Sequence, residues 1–539
     1  MKNLNRLSTA PLRTPRTRRN HAISVLTSLP AGKMVPVAAV PMLREDAMTA
    51  RVRIAVEMQE TAEILMNGVD LRATAYLVPW LAFDRFQGSR DQFDRSYSGI
   101  AKDKDPGSTT TAFIEVTAAA GPDGSNPVHK YLGLHTQEGQ MENRGYLESY
   151  NAIWNYRAKN RSLGINPRDR LETSLAPAFW NHSQFQHIVP DFDQAVIDGE
   201  VALEYASNRI QVHGIATDGE GVAVDHPYIG NNDGALHLAQ ANEMYTTLAR
   251  RTPLDGAPAV FAELEEGGLK VSLANIEMAR KTQAFAKMRE RFEGHDDEYI
   301  IDMLMDGLSI PDQALKQPIL LANKLVRFTQ AKRYATDSGN LAESAVSGGA
   351  VLDLAVRVPR LSTGGVVMVL LEAVPQQLFE RQADWYLSTT AVEQLPEFMR
   401  DELDPEKVDV VTMKQIDSDH ATPDATFGYE PLNAKYNRAG ARVGGKFFRP
   451  SVDSGTDTDR QRLWAVETAN PTLAEDFYIV RSIHTKPFLD TESDPFEATL
   501  SGNAVLEGNT VFGGVLVEAT NNYEKVAEKA PTQRIEKAE

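Results

Sequence analysis

The chain has 539 residues, 42 % hydrophobic and 24 % charged, the balance of a folded globular protein with apolar material for a large core. It contains no cysteine, which excludes disulfides, zinc–thiolate centres, iron–sulfur clusters and thiol catalysis. Net charge is −18 but uneven: residues 1–44 carry eight basic side chains and no acidic one, leaving 48 basic against 74 acidic in the remainder.

The chain begins with an Arg-, Pro- and Thr-rich segment, 1–20, that has no apolar period and is predicted to be an extended arm. Its cations Lys2, Arg6, Arg13, Arg16, Arg18 and Arg19 suit phosphates of a polyanion, and composition alone is equally compatible with a solvated tail. Pro30, Gly32 and Lys33 interrupt the apolar region that a secretion signal would need, so secretion is not expected. Short strands are predicted at His21–Thr27 and Met34–Val40, and a longer one at Ala50–Met58, where Val52, Ile54 and Val56 alternate with Arg51, Arg53 and Ala55.

The segment Val69–Phe86 is the predicted spine. It alternates up to Tyr76 and is apolar on both sides from Leu77 to Phe83, so a layer must cover each face. Pro79 lacks an N–H, which predicts a bulge or a sheet edge there. After a Gly-, Ser- and Asp-rich stretch with one strand at Thr111–Val116, Tyr146–Lys159 has the spacing of a helix with Leu147, Tyr150 and Trp154 on one face. Strand-like alternation returns at Ala202–Ile215. Helices are predicted at Ala235–Arg251, Val271–Phe292 (with Met278 and Phe285 in its apolar stripe) and Asp297–Asp306. Strands resume at Leu352–Val358, Gly365–Val374, Val408–Met413 and Phe477–Ile483, and a hairpin of Glu497–Ala504 with Thr510–Ala519 is predicted to close the fold. Early and late strands flanking long excursions predict an antiparallel sandwich carrying insertions, mainly β in class. No run approaches the roughly 20 apolar residues that cross a bilayer, so no membrane insertion is predicted.

Motifs for chemistry fail on inspection. Gly440–Phe447 fits G-x-x-x-x-G-K, but Phe447 replaces the magnesium-binding hydroxyl and no apolar strand precedes the loop. The acid-rich loops with Asp417, Asp419, His420 and Asp424, and with Asp453, Asp457 and Asp459, lack calcium-loop spacing and are expected to be solvated. No histidine pair has metal-ligand spacing. No enzymatic activity, cofactor or metal is expected.

Several segments in the same order resemble the major capsid protein of the Microviridae, small icosahedral single-stranded-DNA phages, especially the gokushovirus-like members. They are Ala75–Trp80; Tyr131–Leu134; Tyr150, Asn151, Ile153, Trp154, Asn155 and Arg157; Arg280, Gln283, Ala284 and Phe285; Asp312, Leu315, Gln317, Pro318 and Leu320; Phe427–Tyr429, Tyr436 and Gly444; and Trp464 with Phe477 and Tyr478. The resemblance implies an eight-stranded antiparallel jelly roll with large helical and loop insertions at about 87–200, 214–345 and 415–475. It implies one capsid domain over 21–520, with the arm 1–20 before it and a charged tail 521–539 after it. It further implies homo-pentamers within a T=1 shell around circular single-stranded DNA, assembled in the bacterial cytoplasm. Partners would be a small basic DNA-binding protein, a pilot protein and a host surface receptor, with glycans among the candidates. Under it, the arm cations face the DNA, and Trp80, Tyr150, Trp154, Met278, Phe285 and Trp464 are core or intersubunit anchors. The rival from another class is a carbohydrate-binding or glycan-hydrolysing β-sandwich on a phage surface, which would need a cleft with two carboxylates and aromatic platforms.

Overall fold

A computed structural model describes residues 15–61, 63–99, 111–119, 126–181, 185, 187–191, 209–211, 261–263, 280–285, 307, 313–332, 346–404, 407–438, 440–448, 462–464 and 470–514. The chain divides into two compact units, Met1–Phe192 with Ile310–Glu539, and Asp193–Ser309.

In the first unit, β1 (Thr17–Leu29), β2 (Met34–Met42), β3 (Asp46–Thr61) and β4 (Val69–Pro79) follow one another closely. An excursion then carries α1 (Arg90–Ser98), β5 (Val116–Ala118), α2 (Pro127–Tyr131), β6 (Met141–Asn143) and α3 (Gly145–Lys159). The described part of the second unit contains β7 (Arg209–Gln211), paired antiparallel with β8 (Phe261–Glu263), and a helical segment at 280–285. The first unit resumes with β9 (Ile319–Arg327), β10 (Thr329–Lys332), β11 (Val346–Leu361) and β12 (Gly365–Pro375). It ends with β13 (Val408–Thr412), β14 (Thr426–Pro431) and β15 (Phe496–Gly508).

The protein is mainly β. A five-stranded sheet has the order β1-β15-β3-β11-β10 and a four-stranded sheet the order β2-β12-β4-β9, with every pairing antiparallel. The pairings nest: β1 takes β15, β2 takes β12, β3 takes β11 and β4 takes β9. Early strands thus meet late strands in reverse order, as if one long hairpin had been rolled up.

The two sheets share one apolar core. In β3, Met48, Ala50, Val52, Ile54, Val56 and Met58 point inward and the residues between them do not, the pattern of a sheet with one covered face. In β4 and β12 both faces are buried. Leu71, Ala73, Ala75 and Leu77 meet the larger sheet, while Tyr76 and Val78 join a second cluster with Tyr150, Ile153 and Trp154 of α3. Each large apolar side chain so buried contributes roughly 1.5–3 kcal/mol, which is why the helix is held on the smaller sheet.

Pro79 ends β4 instead of bulging it: the chain passes directly into a 3-10 turn at Trp80–Ala82. Three other expectations are corrected. Phe477–Ile483 is not a strand; Glu475–Tyr478 is a single helical turn and Ile479 makes one isolated bridge to Phe179, so this apolar run is buried as irregular chain. The closing hairpin does not form, because β15 is wedged between β1 and β3, which use both its edges. Residues 510–514 have no strand, and 515–519 lie outside the described residues. Finally β9, β10 and β14 are strands inside segments read as excursions. In β9 the apolar residues do not alternate (ILLANKLVR), because this edge strand leaves Leu320 and Leu325 exposed. The predicted helices Ala235–Arg251 and Asp297–Asp306, and most of Val271–Phe292, lie outside the described residues.

Candidate functional site

The outward face of the larger sheet is the most distinctive chemical surface among the described residues. Because side chains alternate, covering one face of β3 and β11 commits Arg51, Arg53, Asp353 and Arg357 to the other. Register places them in rows. Arg357 lies opposite Thr49, and Thr49 opposite Val505, which faces Asn20. The next row is Ala355, Arg51, Asn503, Ala22, and the one after it Asp353, Arg53, Ser501, Ser24. Arg51 and Arg53 are therefore two residues apart on one strand, with Arg357 diagonal to Arg51 on the next.

Around these cations most side chains are short (Ala, Ser, Thr, Asn and Val), but two acids share the face, Asp353 directly opposite Arg53 and Glu507 directly opposite Arg18. The surface is low and rich in hydrogen-bonding groups. Arg51, Arg53 and Arg357 make no ion pair with any described residue, and all three are exposed. The guanidinium groups can each donate a paired set of N–H bonds to a phosphate, with Asn and Ser beside them as neutral donors. Nothing in so shallow a face reads base edges, so it suits a sugar–phosphate backbone without sequence preference. One end is different: Glu57 and Glu497 sit opposite each other and close off the cationic zone.

The arm cations divide. Lys2, Arg6 and Arg13 lie outside the described residues. Arg16, Arg18 and Arg19 adjoin or belong to β1 and are fixed by its pairing with β15. Arg16 donates to the Glu507 carbonyl at 2.5 Å, and Arg18 points outward with its Nε 3.9 Å from the Glu507 carboxylate. Arg19 is committed to structure. It ion-pairs with the buried Asp46, whose carboxylate also accepts from the Leu43 N–H at 2.6 Å. Of the basic segment's described part, only Arg18 is presented to a ligand on the same face as Arg51 and Arg53.

The aromatic anchors also divide. Tyr150, Trp154 and Trp464 are fully buried. The Tyr150 hydroxyl donates to the Met34 carbonyl at 2.5 Å and accepts from the Ala176 N–H at 2.8 Å, and Trp154 Nε1 donates to the Pro177 carbonyl at 2.9 Å. Asn151 and Asn155 donate to the carbonyls of Arg170, Glu172 and Arg168. The run from Tyr150 to Arg157 is thus a latch that pins the following irregular chain to the smaller sheet. Trp464 Nε1 donates to the His484 carbonyl at 2.8 Å, within the main core. Trp80 is half-buried, edge-on to Phe113 at 5.6 Å. Phe285 is 53 % exposed on the 280–285 helix, and Met278 lies outside the described residues.

The first acidic loop is not solvated as expected. Asp417 is buried and receives two hydrogen bonds from Arg381, at 2.8 and 2.7 Å. Burial pushes its carboxyl up, but Arg381 and the Asp419 N–H outweigh this and hold it below the ordinary range. A carboxylate so committed to a cation is a poor proton donor. It lines a recess of about 140 Å³ with Phe379 and Phe477, whose rings are themselves buried and offer no flat platform. Asp424 pairs with Lys414 at 2.9 Å, and among the described residues no three His, Asp or Glu side chains converge as metal ligands. Asp453, Asp457 and Asp459 lie outside the described residues. No described helix is long and apolar enough to cross a membrane.

Sequence reasoning placed Arg51 and Arg53 on a strand but did not single them out. The available signal was the alternation itself, arginines at every second position of an otherwise apolar strand. Comparison of the chain with protein-family models finds no match, and comparison with curated proteins finds none.

Proposed function

We propose that the chain is the major structural subunit of a small icosahedral shell enclosing single-stranded DNA, of the Microviridae kind. The observation that carries this reading is the nested strand pairing. Counting only the eight strands of the two main sheets, without β10, the orders become 1-8-3-6 and 2-7-4-5. This order supports the reading as a jelly roll, a fold that capsid subunits use repeatedly. Fold does not fix function, which rests here on the sequence resemblance and the site taken together.

Three further features support the reading. The larger sheet leaves one broad face bare, with Arg51, Arg53, Arg357 and Arg18 for a phosphate backbone, on a protein whose net charge of −18 would otherwise repel DNA. The long excursion between β4 and β9 includes a separate compact unit, Asp193–Ser309, a size of insertion that shell subunits use for contacts and surface relief. Among the described residues the buried acids Asp46, Asp70, Glu148, Glu372, Asp417 and Glu430 are each paired with an arginine, as structural acids are.

Under this reading the copies gather as pentamers in a T=1 shell with the cationic face toward the genome, and the protein resides in the virion. The few cations of this face cannot neutralise a genome, so a small basic partner or polyamines complete the charge balance. Electron microscopy and native mass spectrometry of the purified protein, with and without single-stranded DNA, test it. Pentamers or closed shells are expected. A protein that stays monomeric at high concentration, binds no DNA and turns over a glycan would replace the shell with the surface-glycan alternative.

A further inference from the structure

One stretch of the first unit is built inside out. Between Asp384 and Asp404 three short helical turns, Trp385–Ser388, Val392–Gln394 and Phe398–Leu403, bury none of their residues. Tyr386, Leu387, Val392, Phe398, Met399 and Leu403 are 64–81 % exposed. Polar groups hold the stretch to its own chain. Asp384 accepts from the Tyr386 and Leu387 N–H groups, and Arg400 donates to the Glu393 and Leu395 carbonyls at 2.9 and 2.8 Å. Asn433 donates to Asp401 at 2.8 Å, and Tyr436 packs edge-on against Trp385 at 4.9 Å. Summed, the six apolar side chains expose on the order of 700 Å² of apolar surface, close to the roughly 800 Å² each partner gives to a standard interface. A second surface of the same unit has the opposite charge. Residues 384–404 hold six acidic side chains and one basic, with Asp384 and Glu402 paired to Arg442 and Lys407; residues 313–332 hold four basic, Lys316, Lys324, Arg327 and Lys332, and no acid, with Arg327 paired to Asp70 of β4. Within the latter, β9 is, among the described residues, the outer strand of its sheet beside β4, and exposes Leu320 and Leu325 beside Lys324. An open apolar edge of this kind calls for a cover.

We propose that the apolar ridge 385–403 of one copy seats on the β9 edge of the next copy, acidic rim against basic strand. Two different patches on each chain make the contact head-to-tail, the type that closes into rings when the rotation fits. The proposal rests on the shell reading and names its contact.

The absence of cysteine makes the test direct. Single thiols are introduced as Leu387→Cys and Leu325→Cys, separately and together, and treated with a short bis-maleimide. The double variant is expected to give a ladder of linked copies on a denaturing gel, and an equimolar mixture of the two single variants a dimer, while each single variant alone gives none. Phe398→Asp, at a side chain already exposed, is expected to leave the melting temperature unchanged and to raise the concentration needed for assembly at least tenfold, as loss of an interface anchor does. If the unmodified protein assembles but the double variant gives no ladder, or Leu387→Cys links to itself, this contact is wrong and the shell stands. If the unmodified protein stays monomeric while the ladder forms, the contact stands and the shell falls. Neither assembly nor ladder overturns both.

Discussion

The guanidinium of Arg157 and the carboxylate of Glu372 form two parallel hydrogen bonds, 2.6 and 2.9 Å long, between α3 and β12. Both residues are buried, and the guanidinium also lies over the Phe179 ring at 4.7 Å. Removing one partner strands a charge in the interior, so Arg157→Met or Glu372→Leu is expected to cost about 3–5 kcal/mol. The double variant should recover a large part of that. Urea unfolding of the four proteins measures the coupling; additive losses would mean that the pair does not act as a unit.

Asp417 links stability to pH. Its folded carboxyl titrates below the ordinary value of 3.8 despite burial, because Arg381 and the Asp419 N–H favour the anion. A depressed carboxyl stabilises the fold at pH values above its unfolded pKa, and the contribution is lost as pH falls through the folded value. Asp417→Asn should therefore melt lower than the parent at neutral pH, and the gap should narrow below pH 3.8. A gap that is constant with pH would assign the loss to packing.

Gly364, in the turn between β11 and β12, has φ +69°, and an added Cβ would lie 2.8 Å from the Met42 carbonyl and 2.9 Å from the Trp80 ring. Gly364→Ala combines a left-handed backbone with two close contacts, so a loss of about 1–3 kcal/mol is expected from strain alone. Gly99 shares the left-handed conformation at φ +71° but has nothing within 4 Å, which makes Gly99→Ala the control for the contacts. Differential scanning calorimetry should rank Gly364→Ala below Gly99→Ala.

The cationic face predicts a salt dependence. Each phosphate contact on single-stranded DNA contributes about 0.7 to the slope of log affinity against log salt. Replacing Arg51, Arg53 and Arg357 together by alanine should weaken binding and flatten that slope by about 2. Replacing Arg19 should instead lower stability, since its partner Asp46 is buried. Fluorescence anisotropy over a salt series, with melting curves alongside, separates the two; an unchanged slope in the triple variant would move DNA contact elsewhere.

Period-two alternation was enough to locate β3, β11 and the first half of β4, short or doubly apolar runs marked parts of β1, β2 and β12, and the helical spacing of Leu147, Tyr150 and Trp154 was enough for α3. These patterns are local: covering one or both faces of a strand leaves its mark on the strand's own residues. The edge strand β9 left no such mark, since an edge exposes side chains that an interior strand would bury. For the same reason the latch role of Tyr150 to Arg157 was invisible, although the residues themselves were singled out. Their partners Met34, Ala176, Pro177 and Glu372 are up to 215 residues away in the chain.

Sequence by itself determined the class of fold, the absence of thiol chemistry and the concentration of positive charge near the start of the chain. Only the tertiary structure decided which arginines are used up internally and which face outward. Arg19 and Arg53 are alike as residues. One sits over a buried aspartate where β1 meets the β2–β3 turn, the other on the bare side of β3. Pairing partners come from strand order, and strand order is set by contacts between segments hundreds of residues apart, which no local pattern encodes.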